Sequence, residues 1–215
     1  AMFEADDNKL MINDIHPTRQ YSAYGIGPGI GTADNTLNAI DTFIRSAKTP
    51  LVIDADALNC IARRPELLNH IPMLSVLTPH DGEFDRLFGE HTTHEARLKK
   101  ALEVSKYYNL LILLKGHYTA LVRPDGKVYF NSTGSPAMAT PGSGDVLTGI
   151  LTSLIGQGYK PEVASIMAAF IHGLAGEMAA KINGDYGVTA SDIADCTGKA
   201  IMETMQQSRS PPHHF

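Results

Sequence analysis

The stretch Thr140–Gly149, TPGSGDVLTG, sets two glycines around a serine, then one carboxylate, then an apolar run. Helical patterning starts near Asp145. The first N–H groups of a helix lack internal partners, and with the helix dipole they form an anion site. Glycines let a bulky anion reach that backbone. Gly142, Ser143 and Gly144 are therefore candidates to hold a phosphoryl group. Asp145 would repel the phosphate, so its candidate role is to take the proton of an attacking hydroxyl. An ordinary helix N-terminus also carries Gly and Asp, and the spacing is not that of a Walker loop.

Other chemistry-bearing residues fall at the ends of apolar runs. YGIGPGIG places glycines at 25, 27, 29 and 31, off the dinucleotide spacing, and suggests close backbone approach to a ligand. VIDADALN ends in Asp54 and Asp56. Paired acids hold Mg²⁺ through water or cap a helix; Asp56 reads as the cap and Asp54 stays open. TPHDGEF offers His80 and Glu83. LLKGHYT puts Lys115 at a strand end, where a buried ammonium needs an anionic partner. HTTHE (residues 91–95) lacks zinc-motif spacing and reads as a loop and helix start. His172 reads as a packed or hydrogen-bonded core histidine rather than a catalyst, with a helix facing the nucleotide base as the alternative.

These residues need a frame. Short apolar runs at 21–27, 50–58, 73–80 and 110–116 read as strands, and 119–131 as a hairpin turning at Pro124-Asp125-Gly126. Helical spacing covers 32–47, 94–109, 145–157, 161–181 and 191–207. Strands alternating with helices imply an α/β fold with a mostly parallel sheet, whose ligands sit at the carboxyl ends of the strands. One domain over residues 1–208 and a tail over 209–215 is the simplest division.

Bulk properties narrow the class. With 215 residues and 43% hydrophobic content, a core forms without disulfides. Cys60 and Cys196, the two cysteines, read as reduced thiols of a cytoplasmic protein. A net charge of −5 without a basic run argues against nucleic acid. No apolar stretch reads as bilayer-spanning, and no signal peptide is evident.

ATPGSGDVLTGIL resembles the anion-hole motif of ribokinase-like enzymes, whose Asp is the catalytic base. NSTGSPAMATPGSGDVLTG, followed by AAFIHGLAGEMAA, is similar to one branch, the ADP/ATP-dependent NAD(P)H-hydrate dehydratases. GIGPGIG, VIDADALN, TPHDGEFDRL and LLKGHYT match that branch in the same order. The resemblance implies a ribokinase-like three-layer fold and a repair reaction. Hydrated NAD(P)H is phosphorylated by ADP or ATP with Mg²⁺, phosphate leaves, and the ring double bond returns.

The resemblance also implies roles. Gly27, Gly29, Gly31, His80 and Asp145 face the hydrated dinucleotide. Lys115, Gly116, His117, Tyr118, Thr119 and Gly144 lie along the nucleotide, and Glu83 organises Mg²⁺ through water. A homotetramer, and fusion to or cooperation with an NAD(P)H-hydrate epimerase, are implied as well. Only about 24 residues precede the first glycine loop, so the family's early strand, helix and substrate-facing wall are expected to be absent. A vitamin-precursor kinase and a nucleotide-binding module without turnover are the competing readings.

Overall fold

The structure, a computed structural model, describes residues 12, 14, 15 and 21–209. In chain order the elements are β1 (Tyr24–Ile26), α1 (Asp34–Ser46), β2 (Leu51–Ile53), α2 (Ala55–Arg63), β3 (Val76–Leu77), α3 (Asp81–Phe88) and α4 (His94–Tyr108). They continue with β4 (Leu111–Leu114), β5 (Ala120–Val122), β6 (Val128–Phe130), α5 (Ser143–Gly156), α6 (Pro161–Asn183) and α7 (Ala190–Arg209). Residues 210–215 of the expected tail lie outside the described residues.

The six strands run β1-β2-β3-β4-β5-β6 across one sheet. The first four pair in parallel; β4, β5 and β6 pair antiparallel. Alternating side chains point to opposite faces of a strand, and here both faces are buried. Val52, Val76, Leu111, Leu113 and Leu121 pack against α5, α6 and α7. Leu51, Ile53 and Leu77 pack with α1 and α2, and Ile112, Leu114 and Val122 with α3 and α4. The result is the expected three-layer α/β fold with a mostly parallel sheet. The hairpin turns as read, with Gly126 at φ 82.

Two short helices differ from the sequence reading. VIDADALN and TPHDGEF read as strand ends, but each strand stops early and a helix follows at once. At α2 the N-cap position is Asp54, not Asp56. Asp56 lies in the first turn and accepts the Gly31 N–H at 2.9 Å, so it ties down the glycine loop. α3 opens with a capping box. The His80 imidazole accepts the Gly82 and Glu83 N–H groups, and the Glu83 carboxylate accepts the His80 N–H at 2.8 Å.

α6 also corrects the expectation about bilayer length. Its 23 residues are long and apolar enough to cross a membrane by composition, yet more than half of the apolar stretch is buried in this fold. Small residues let it serve as a core helix. Gly173 accepts the Thr133 side chain and Gly176 the Met138 thioether so closely that an added Cβ would stand 2.3 and 2.2 Å from them.

Candidate active site

Four strand ends deliver the site. β1 runs into Gly27, β2 into Asp54, β3 toward His80 and β4 into Lys115. A parallel bridge between His80 and Lys115 continues the β3–β4 pairing past the strands. Over these ends stands the first turn of α5. Gly142, its N-cap, has φ 86, a left-handed conformation that favours glycine.

The turn's amides divide into two kinds. The Ser143 N–H donates to the Thr140 carbonyl at 3.2 Å, and the Asp145 N–H to the Gly142 carbonyl at 3.0 Å. Among the described residues, the Gly142 and Gly144 N–H groups donate to no backbone carbonyl. The expected anion hole therefore offers two free amides, while the third is turned into its own loop. A Cβ on Gly144 would lie 3.2 Å from the Lys115 Nζ, so glycine there lets the ammonium stand against the helix start.

Lys115 has its anionic partner within the protein. Its Nζ lies 2.7 Å from Asp54 Oδ1 and 3.8 Å from Glu83 Oε2. Asp54 is 1% exposed, and its other oxygen accepts the Thr148 hydroxyl at 2.7 Å. Asp54, which the sequence left open, is thus a buried counter-ion linking β2, β4 and α5. Its neighbourhood also explains Gly27. With φ 129, a Cβ there would stand 1.7 Å from the Asp54 carbonyl oxygen. At Gly27 the backbone closely approaches β2, and the same residue lines a cavity. Gly29 and Gly31, at φ 67 and 75, meet nothing within 4 Å.

Two cavities flank the α5 turn. One, of about 770 Å³, is lined by Gly25, Gly27, Pro28 and Ile30 of the glycine loop and by Asp145, Thr148 and Thr152 of α5. The other, of about 710 Å³, is lined by His80, Lys115, Gly116, His117, Thr119, Ser143, Gly144 and His172. Asp145 is exposed, and no hydrogen bond or ion pair holds its carboxylate among the described residues. One helical turn presents its carboxylate to the first cavity and its glycine and serine to the second.

The sequence expectations sort accordingly. Gly27 and Asp145 share a cavity, and Lys115, Gly116, His117, Thr119 and Gly144 share the other. His80, expected to face the hydrated dinucleotide, lines the Lys115 cavity. Tyr118 is 71% exposed and does not line it. Glu83 is 5% exposed beneath His80, with Oε1 3.4 Å from the His80 Nε2. Gly29 and Gly31 line neither cavity. His172 is a hydrogen-bonded core histidine, as read, with its Nε2 3.2 Å from Ser143 Oγ. Burial pulls its imidazole down to about 4; the Ser143 backbone opposes this and the Lys115 charge reinforces it.

A family model for NAD(P)H-hydrate dehydratase matches residues 3–199. The chain belongs to this family.

Curated relatives agree. The bifunctional NAD(P)H-hydrate repair enzyme Nnr of Moorella thermoacetica is 44% identical over 174 residues, covering 79% of this chain and 32% of the relative. The Nnr of Dictyoglomus turgidum is 35% identical over 206 residues, covering 94% of this chain and 39% of the relative. The chain thus spans about a third of the length of these relatives. Among solved structures, the ADP/ATP-dependent NAD(P)H-hydrate dehydratase of Bacillus subtilis, co-crystallised with ATP/Mg²⁺, superposes with a TM-score of 0.76 at 28% identity. That match covers 89% of this chain and 68% of the other.

Proposed function

We propose that this chain restores hydrated NAD(P)H to NAD(P)H at the expense of ADP or ATP. The observation that carries the reading is the division of the α5 turn between two cavities. The Lys115 cavity takes the nucleotide, with the free Gly144 amide and the Lys115 ammonium beside its terminal phosphate. The glycine-loop cavity takes the hydrated nicotinamide ring, with its hydroxyl at Asp145. In phosphoryl transfer the protein positions the groups and stabilises charge. Asp145 accepts the hydroxyl proton as the oxygen attacks phosphorus. The phosphate then leaves with the C–O electron pair, a proton leaves the adjacent ring carbon, and the double bond returns.

Mg²⁺ fits as an ion carried by the phosphates. Among the described residues no three His, Cys, Asp or Glu side chains converge as a protein cage would need. A phosphate-borne Mg²⁺ needs only one or two carboxylates. Glu83, 3.8 Å from Lys115, would hold it through water, and the bound ion would supply positive charge to the phosphate oxygens. His80, on the same wall, meets the dinucleotide where it crosses toward the nucleotide cavity. The protein works as a homotetramer, together with or fused to an epimerase; light scattering of the purified chain checks the tetramer.

The test supplies hydrated NADH, Mg²⁺ and either ADP or ATP. A dehydratase releases inorganic phosphate in step with the return of reduced-nicotinamide absorbance. A vitamin-precursor kinase would be active on its own substrate and inert here, and a binding module would give neither signal.

A further inference from the structure

The Ser143 amide does not serve the anion site, because it bonds to Thr140. The same residue's hydroxyl remains. Ser143 is 7% exposed, on the cavity wall that also carries Lys115 and Gly144. Its Oγ lies 3.2 Å from the His172 Nε2, and His172 is 9% exposed on the same wall.

Which group donates decides what the cavity meets. If Nε2 accepts the Ser143 proton, the serine turns lone pairs toward an incoming phosphate. If Nε2–H donates, the hydroxyl proton is free to point into the cavity. A phosphate in this cavity offers only acceptors to the serine, so a hydroxyl that faces it must donate its proton and is left with lone pairs to accept a proton from Nε2 at 3.2 Å. Burial keeps the ring neutral at ordinary pH, so it carries one proton and the tautomer matters. The segment bearing His172 is pinned. Asn131 Nδ2 donates to the Ala169 carbonyl at 3.1 Å, Thr133 Oγ1 to that of Phe170 at 2.8 Å, and Gly173 packs on Thr133.

We propose that His172 is a positioning residue for the anion site. Its Nε2–H donates to Ser143 Oγ and so turns the Ser143 hydroxyl toward the terminal phosphate of a nucleoside di- or triphosphate. The inference rests on the nucleotide-dependent reading above and adds a donor to it.

Two measurements test it. Nitrogen-15 spectra of the wild-type protein read the His172 tautomer directly. A protonated Nε2 with a bare Nδ1 is expected; a bare Nε2 overturns the proposal, and this arm needs no variant to fold. Calorimetric titration with Mg·ADP gives the second readout. Ser143→Ala is expected to weaken binding about tenfold or more, as loss of a hydrogen bond to a charged group does. His172→Ala should match it, the double variant should be no weaker than Ser143→Ala, and His172→Gln, which keeps an N–H, should restore most of the affinity. Additive losses, or wild-type affinity in His172→Ala, overturn the proposal while leaving the nucleotide reading standing. Wild-type protein that binds neither Mg·ADP nor Mg·ATP overturns that reading, and this inference with it.

Discussion

The Lys115 ammonium stands 2.7 Å from the buried Asp54 carboxylate, across 61 residues of sequence. The pair joins β2 to β4 and holds a positive charge against the α5 turn. Removing one partner of a buried pair leaves the other uncompensated, which costs about 3–5 kcal/mol. Asp54→Ala leaves the ammonium beside Glu83 on the cavity wall, whereas Lys115→Met leaves the 1% exposed Asp54 without its counter-ion, so Lys115→Met should lower unfolding stability by that order. Chemical denaturation measures it, and a loss under about 1 kcal/mol would show that the pair is not a structural tie.

The glycine loop gives a graded prediction. Gly27→Ala drives a Cβ to 1.7 Å from the Asp54 carbonyl oxygen, while Gly29→Ala meets only open space. At Gly29 the cost is that of a left-handed residue, about 1–2 kcal/mol. Gly27→Ala adds a backbone clash and should cost more, with a lower melting temperature and less protein in the glycine-loop conformation. Equal melting temperatures for the two variants would contradict the described approach of β1 to β2.

Acid should weaken the fold in two separate windows. Burial holds His172 at about 4 against its usual 6.5, so the unfolded chain binds that proton first. Stability is unaffected above 6.5 and falls as the pH drops from there toward 4. The Arg97 hydrogen bond holds Asp85 at about 2 against 3.8, opposed by burial and aided by His91. Its stabilisation is full above 3.8 and disappears as the pH falls toward 2. Denaturation midpoints against pH should lose the upper slope in His172→Gln and the lower slope in Arg97→Gln. A retained slope in either variant would assign that window to another group.

Much of this was legible from local patterning. The hairpin, the long helices and the alternation of strands with helices follow from periodicities of two and 3.6. The α5 glycine turn was legible as a helix start because Gly142–Asp145 combines left-handed freedom with an acidic first turn. α3 escaped because its N-cap is His80, outside the usual Ser, Thr, Asp and Asn, although Glu83 three residues on completes a capping box. α2 was expected after an Asp56 cap but starts earlier, with Asp54 at the N-cap, because Ala55 takes φ 48 and the chain turns from strand to helix within one residue. Asp54–Lys115 and Ser143–His172 join residues far apart in sequence, and no local pattern encodes such pairs. Tyr118 lies in the turn between β4 and β5, 71% exposed and off the cavity lining, and no local pattern tells which residue of that turn faces the cavity.

The central claim is that Asp145 serves the substrate cavity while the rest of its turn serves the nucleotide. Turnover of hydrated NADH by Asp145→Asn, with Mg·ADP affinity measured on the same preparation, tests it most directly. The account predicts a turnover loss of about 10²- to 10⁴-fold, the typical contribution of a general base, with nucleotide affinity unchanged. Wild-type turnover in the variant, or a loss explained wholly by weaker nucleotide binding, would contradict it.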